Sequence, residues 1–273
     1  MTPPTFETIE IALADGVARV WLNRPQKANA MSRAMWDEIG AAFAWVDRTP
    51  EARVAVLAGR GTHFTSGIDL SLLAGVRAEI ADDCEGRSRE KLRRLVLDLQ
   101  ASLTSLERCR KPVLAAIHGA CIGGGVDLVC CADMRYASAD AVFQVKEIDL
   151  GMTADVGTLQ RLPKLVADGM ARELAYTGRQ VPATEARDIG LVNRVFDSPD
   201  ALQAGVTGIA ATIAAKSPLA IRGTKDMLLY ARDHSVADGL DRVATWNAAM
   251  LVSADIAEAM GAAFEKRPPR FRD

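Results

Sequence analysis

The chain has no excess of basic charge. Across 273 residues, 33 Lys and Arg stand against 35 Asp and Glu, a formal net charge of -2. That balance leaves no electrostatic footprint for nucleic acid and no attraction to an anionic membrane surface. Aromatic residues are scarce, at 5%, which argues against a stacking platform for single strands. The three histidines, His63, His118 and His234, have no paired spacing, so no metal site is expected. The five cysteines (Cys84, Cys109, Cys121, Cys130, Cys131) are odd in number and include no Cys-x-x-Cys pair. They read as free, mostly buried thiols in a reducing compartment. The longest uncharged runs, residues 112–126 and 201–215, are shorter than the roughly 18–20 apolar residues of a membrane span. Residues 1–7 lack a basic stretch followed by an apolar one, and Arg270-Phe271-Arg272-Asp273 is not a peroxisomal or retention signal. The expected location is therefore cytoplasmic. Nucleotide and hydrolase motifs are missing too. Gly119-x-x-x-x-Gly124 continues into Gly125-Val126 rather than Lys-Ser/Thr, no Gly-x-Gly-x-x-Gly fits, and no Gly-x-Ser-x-Gly elbow exists.

What is present is a costly stretch in the middle of the chain. An apolar run, residues 113–117, reads as a buried strand, and three glycines, Gly123-Gly124-Gly125, follow before Val126-Asp127-Leu128-Val129 starts a buried helix. Each glycine loses more backbone entropy on folding than any other residue. A triple glycine between strand and helix therefore implies a special backbone shape or a close approach. Here it places free N–H groups at a helix start, where a developing negative charge would be stabilised.

Around this stretch, residues 17–22 alternate and read as a strand. Ser32 fits a helix N-cap, with Met31 and Trp36 as a hydrophobic staple, and Trp36, Ile39, Phe43 and Val46 continue the helix to about Asp47. Residues 53–58 read as a strand and 64–70 as a loop. Residues 74–90 are charged without a clear period and read as irregular or mobile. Leu92, Val96, Leu99, Leu103 and Leu106 form one face of a long helix that Lys111-Pro112 ends. Short strands are expected at 133–137, 141–145 and 191–196. Helices are expected at 157–162, 165–176 and from a Thr184 cap to Gly190. From Pro199 on, Ala-rich helical segments cover about 200–215, 218–232, 236–251 and 254–265. The class is α/β for the first ~195 residues and all-α for the tail, with no Gly/Ser-rich spacer between them.

Three acids stand in glycine-rich or apolar surroundings: Asp127, Glu147 and Asp155. Asp155 reads equally as the N-cap of a helix beginning at Val156, and Glu147 as a solvated partner of Lys146. Asp127 is harder to place in solvent, because Gly-Gly-Gly precedes it and Val126, Leu128 and Val129 surround it. The residues alone indicate an anion site with carboxylates nearby.

Taken together and in order, several segments resemble the crotonase (enoyl-CoA hydratase/isomerase) family. They are Leu22-Asn23-Arg24-Pro25 with Asn29-Ala30-Met31, Phe64-Thr65-Ser66-Gly67-Ile68-Asp69-Leu70, the run from Lys111 through the triple glycine, Gly157-Thr158-Leu159-Gln160-Arg161-Leu162-Pro163, and Gly190-Leu191-Val192-Asn193. Within the family the acid set Asp127, Glu147, Asp155 is similar to that of the Δ3,5-Δ2,4-dienoyl-CoA isomerases. The hydratases have glutamate in place of Asp127 and glycine in place of Asp155.

The resemblance implies a spiral of ββα repeats over residues 1–197 and a helical trimerisation region over 198–273, with trimers pairing into hexamers. It implies a 3,5- to 2,4-dienoyl-CoA isomerase of unsaturated fatty acid degradation, or alternatively a 2-enoyl-CoA hydratase or another acyl-CoA activity. A binding protein, for example for RNA, is disfavoured by the full acid set and the missing basic patch. The resemblance assigns the oxyanion hole to the N–H groups of Ile68 and Gly124, and proton transfer to Glu147 and Asp155, with Asp127 tuning their charge. It places coenzyme A, as part of the substrate, against Lys27, Ala28, Ser66, Gly67, Asp69 and Leu70. Lys266 would reach it from a neighbouring subunit, although Lys27 and Lys266 read equally as solvated lysines. No separate cofactor and no metal are implied.

Overall fold

The computed structural model describes residues 2–273. In chain order the elements are β1 (Ile9–Ala14), β2 (Val17–Leu22), α1 (Arg33–Arg48), β3 (Val54–Gly59), α2 (Leu70–Glu79), α3 (Glu85–Arg108), β4 (Val113–Ile117), β5 (Ala120–Ile122) and α4 (Gly124–Cys130). They continue with β6 (Met134–Ser138), β7 (Val142–Gln144), α5 (Thr158–Arg161), α6 (Asp168–Thr177), β8 (Val181–Pro182), α7 (Ala183–Asp188) and β9 (Arg194–Phe196). The tail is α8 (Pro199–Ala214), α9 (Pro218–Ala231), α10 (Val236–Met250) and α11 (Ala254–Phe264).

Six strands form one sheet in the order β1-β2-β3-β4-β6-β9, antiparallel only between β1 and β2. A second sheet has the order β5-β7-β8. Consecutive strands leave the large sheet for the small one, β4 into β5 and β6 into β7, so the chain climbs as a spiral of ββα turns.

The apolar runs become strands buried on both faces because both faces of the large sheet are covered. Ala55 and Leu57 of β3, with Val113, Ala115 and Ile117 of β4, pack into the main core with Trp36, Ile39 and Phe43 of α1. The alternate residues Val54, Val56, Leu114 and Ala116 face Leu202, Val206 and Ala210 of α8. The strand period of two thus divides one run between two layers. The first helix after residue 197 therefore completes the core. The Ser32 cap forms as expected, its side chain accepting from Met35 N–H.

Two expectations fail here. Residues 74–90 are not irregular: α2 and the first turns of α3 occupy all of them except the short link between the helices. Thr184 is not a cap, because α7 starts one residue before it, after Pro182. No single helix among the described residues is long and apolar enough to cross a membrane.

One buried ion pair ties the tail to the core. Lys225 of α9 is 5% exposed; its Nζ donates to Asp133 Oδ2 at 2.7 Å and to Lys111 O at 3.1 Å. Asp133 Oδ2 also accepts from Val113 N–H at 2.7 Å, at the start of β4. Removing Lys225 leaves a partly exposed Asp133 that still accepts from the Val113 N–H. Lys225→Ala is expected to lower unfolding stability by about 1–3 kcal/mol, measured by urea denaturation, with Lys225→Arg recovering part of the loss.

Candidate active site

Three chain segments run side by side and end at the same level. Phe64 N–H donates to His118 O at 2.8 Å and Thr65 N–H to Ala120 O at 2.9 Å, while Ile122 N–H donates back to Thr65 O at 3.1 Å. Residues 64–67 therefore track β5. On its other side β5 pairs in parallel with β7, Ile122 opposite Gln144, and Gly123 N–H donates to Gln144 O at 2.8 Å. Ile68, Gly124 and Glu147 each lie just beyond the end of one of these segments, and all three line one cleft of about 470 Å³.

The glycines make the close approach possible. Gly67 has φ +90, and a Cβ there would lie 2.7 Å from Ile122 O and 3.6 Å from Gly124 N. Gly123 has φ +52, and a Cβ there would lie 3.3 Å from Glu147 Oε1. Side chains at either position would fill the space in which backbone and carboxyl meet. The N–H groups of Ile68 and Gly124 have no acceptor among the described residues. They are two free donors facing the same hollow.

All three sequence-identified acids open onto this cleft. Asp127, on the first turn of α4, is fully buried; its Oδ1 accepts from Thr158 N–H at 2.5 Å, and its Oδ2 has no donor among the described residues. Glu147 is 9% exposed, and its Oε2 likewise has no donor. The solvated partnership with Lys146 does not form, since Lys146 Nζ lies 2.6 Å from Asp149 Oδ2 instead. Asp155 is half-buried and caps nothing: α5 begins at Thr158, with Gly157 at its cap position.

Crowding three carboxyls in a closed site disfavours charge on each of them. Burial, then the charge of Glu147, pushes Asp127 up to about 7, against the pull of the Thr158 N–H. Burial also pushes Glu147 up, with Asp155 adding to it, while backbone N–H groups of Glu147 and Lys146 draw it partly back. Burial raises Asp155 in the same way. Burial thus favours the protonated form of each of the three and sets side by side carboxyls that can donate or accept a proton, as paired acid and base work requires.

The binding residues named from the sequence divide. Ser66, Gly67, Asp69 and Leu70 line the cleft. Asp69 also starts α2, accepting from Ser71 N–H and pairing with Arg24 at 3.0 Å; the Ser71 hydroxyl and then Arg24 hold its carboxyl at about 2. Lys27 and Ala28 stand beside the rim, Ala28 O accepting from Ser66 N–H at 2.9 Å, with the Lys27 side chain in solvent. Lys266 lies past α11, outside the cleft of its own chain. The apolar wall of Trp36, Leu99, Leu150 and Met152 was not foreseen. Trp36 and Leu99 read only as parts of helix stripes, and nothing local marks Leu150 or Met152.

A sequence model of the enoyl-CoA hydratase/isomerase family matches residues 12–273. Among curated relatives, the peroxisomal Delta(3,5)-Delta(2,4)-dienoyl-CoA isomerase of Arabidopsis thaliana is 49% identical, covering 99% of each chain. The mitochondrial Delta(3,5)-Delta(2,4)-dienoyl-CoA isomerase of Mus musculus is 47% identical over 96% of this chain and 81% of its own. The crystal structure of enoyl-CoA hydratase from Bacillus anthracis superposes with TM-score 0.88 at 30% identity, over 97% of this chain and 99% of that one. These relatives correct the cytoplasmic expectation, since the two isomerases are peroxisomal and mitochondrial. Unpaired thiols and an even charge balance are compatible with those compartments as well, so composition had no power to separate them.

The raised acids make stability depend on pH. Between the ordinary value of 3.8 and about 7, folded Asp127 keeps a proton that the unfolded chain has released. The stability from this group is full below pH 4 and falls as pH rises to 7. Asp127→Asn removes the ionisation and keeps an acceptor for Thr158. The stability of this variant relative to the parent chain is expected to rise by a few kcal/mol between pH 4 and pH 7, measured by chemical denaturation at each pH. A difference that stays flat would show that Asp127 titrates normally.

Proposed function

The chain belongs to the enoyl-CoA hydratase/isomerase family, and we propose that it acts on an acyl-CoA thioester, converting 3,5-dienoyl-CoA to 2,4-dienoyl-CoA in the degradation of unsaturated fatty acids. The observation that carries this reading is the opening of Asp155 and Glu147 onto one cleft, with Asp127 buried beside them. Full-length similarity to two dienoyl-CoA isomerases supports it.

The reaction balances within these groups. A carboxylate takes the proton from C2; the C–H electron pair forms C1=C2, and the carbonyl π pair moves onto the thioester oxygen as an enolate. The N–H groups of Ile68 and Gly124 receive that charge; one such donor is typically worth roughly 10²–10³ in rate. As the carbonyl re-forms, the C1=C2 pair becomes C2=C3, the C3=C4 pair becomes C4=C5, and the C5=C6 pair takes the proton that a second carboxyl delivers to C6. Glu147 is assigned to C2 and Asp155 to C6, while the near-neutral Asp127 sets the charge they carry. Each turnover leaves Glu147 protonated and Asp155 ionised, and proton exchange with water in the cleft restores both. The isomerisation is redox-neutral with no net proton change, so the proposal includes no cofactor or metal beyond the coenzyme A carried by the substrate.

Coenzyme A is placed along Lys27, Ala28, Ser66, Gly67, Asp69 and Leu70. The exposed Lys27, Ser66 and Leu70, with the half-buried Ala28 and Asp69 beside the two free N–H groups, support this placement. We also propose a homotrimer or a dimer of trimers built through the helical region 198–273, with Lys266 reaching a neighbour's coenzyme A. Support comes from the exposed apolar side chains of that region: Leu228, Val236, Leu240, Val252, Met260 and Phe264 are all more than half exposed in the single chain. Light scattering should give the mass of three or six chains, and a monomer would contradict this assembly.

The test of function is direct. The purified protein, mixed with a 3,5-dienoyl-CoA, should generate the ultraviolet band of a 2,4-dienoyl thioester. Glu147→Gln and Asp155→Asn should each lower kcat by roughly 10²–10⁴. Robust hydration of a 2-enoyl-CoA without dienoyl isomerisation, or an Asp155→Asn variant at full rate, would refute the assignment.

A further inference from the structure

The turn that holds Asp155 is a thin wall. Val156 lines both the catalytic cleft and a second, polar cavity of about 430 Å³ behind it, so hollows lie on both sides. One face of α3 holds the turn with polar contacts. Gln100 Nε2 donates to Asp155 O at 2.6 Å. Thr104 Oγ1 accepts from Arg161 Nη2 at 3.2 Å, and Glu107 Oε2 accepts from Arg161 Nε at 2.8 Å and from Nη2 at 2.5 Å. Residues four and three apart share a helix face, so positions 100, 104 and 107 form one row along the wall. Arg161 is the last residue of α5, and the space above Gly157 Cα is filled by its guanidinium: a Cβ there would lie 2.1 Å from Nη1. Gly157 itself has φ +136, which a side chain would strain whatever the space. From the same turn the Thr158 N–H reaches Asp127 Oδ1.

We propose that Gln100 of α3, bonded directly to Asp155 O, and Thr104 and Glu107, acting through Arg161, are positioning residues that fix the 155–158 turn and so set where Asp155 delivers its proton. The proposal rests on the functional reading above. The rack meets the turn that carries Asp155, a turn that also holds Asp127 through the Thr158 N–H; no hydrogen bond joins the rack itself to Glu147 or to the free N–H groups of Ile68 and Gly124. Weakening it should leave proton removal at C2 working while delivery at C6 fails.

Arg161→Met and Gln100→Leu test this in the full-length chain, the second because it keeps the buried Glu107 pair intact if the first fails to fold. Each is incubated in D2O with 3,5-dienoyl-CoA. Product is followed by its ultraviolet band, and deuterium at C2 of recovered substrate by mass spectrometry. Isomerisation kcat should fall roughly 10–10²-fold with KM little changed. C2 exchange should persist, so that the ratio of exchange to isomerisation rises about tenfold or more, and Arg161→Lys should bring it part of the way back. A proportional loss of exchange and isomerisation in the folded variants, or an unchanged ratio, would overturn the proposal. An unmodified chain that does not isomerise the substrate would count instead against the functional reading.

Discussion

The site depends on one parallel register. Residues 64–67 hydrogen-bond along β5, and β5 along β7, so three backbone segments end together. Just beyond those ends stand the Ile68 N–H, the Gly124 N–H and the Glu147 carboxyl, lining one cleft with Asp127 and Asp155. A slip of one residue in either pairing would turn every side chain of that segment to the opposite face and separate the two donors. Glycine is required where backbones come closest, at Gly67 against Ile122 O and at Gly123 against Glu147. The entropy those glycines lose on folding is offset by burial elsewhere, on a sheet packed against α1 on one face and α8 on the other. The large core stabilises a small region in which backbone donors and carboxyls are left without partners.

The second constraint is electrostatic. Three carboxyls share a cleft in which Asp127 Oδ2 and Glu147 Oε2 have no donor. The fold tolerates this because burial keeps part of the set protonated. The same feature that weakens the folded state as pH rises toward neutrality supplies an acid and a base together. Stability and activity are thus coupled through one group of residues, with Thr158 N–H holding the most buried acid in place.

Much of this was legible in the sequence because it is local. The triple glycine before an apolar helix start announced free N–H groups, and Asp127 stood out because no solvated role suited its neighbours. β2, β3, β4 and β6 of the large sheet and the Ser32 cap followed from period and capping chemistry, whereas the edge strand β1 was not read. Residues 74–90 were misread because their helices have little apolar stripe: α2 buries no residue, and the first turns of α3 carry i,i+4 ion pairs such as Arg89–Glu85 and Arg94–Glu90. Charge spacing, not hydrophobic period, was the available signal. The roles of Gln100 and Glu107 were beyond reach, since their partners lie more than fifty residues away and only the folded register brings them together. Asp155 could be named from resemblance, but its freedom from capping duty required the observed start of α5.

The central claim is that two separate carboxyls move the proton, one taking it from C2 and the other delivering it at C6. A single turnover in D2O, with the protein equilibrated in D2O beforehand and excess over 3,5-dienoyl-CoA, reads this directly when the product is examined by NMR. The account predicts one deuteron at C6 and no oxygen added at C3. Product carrying the original C2 hydrogen at C6 would mean that one base carries the proton across, and a 3-hydroxy product would mean hydration; either contradicts the account.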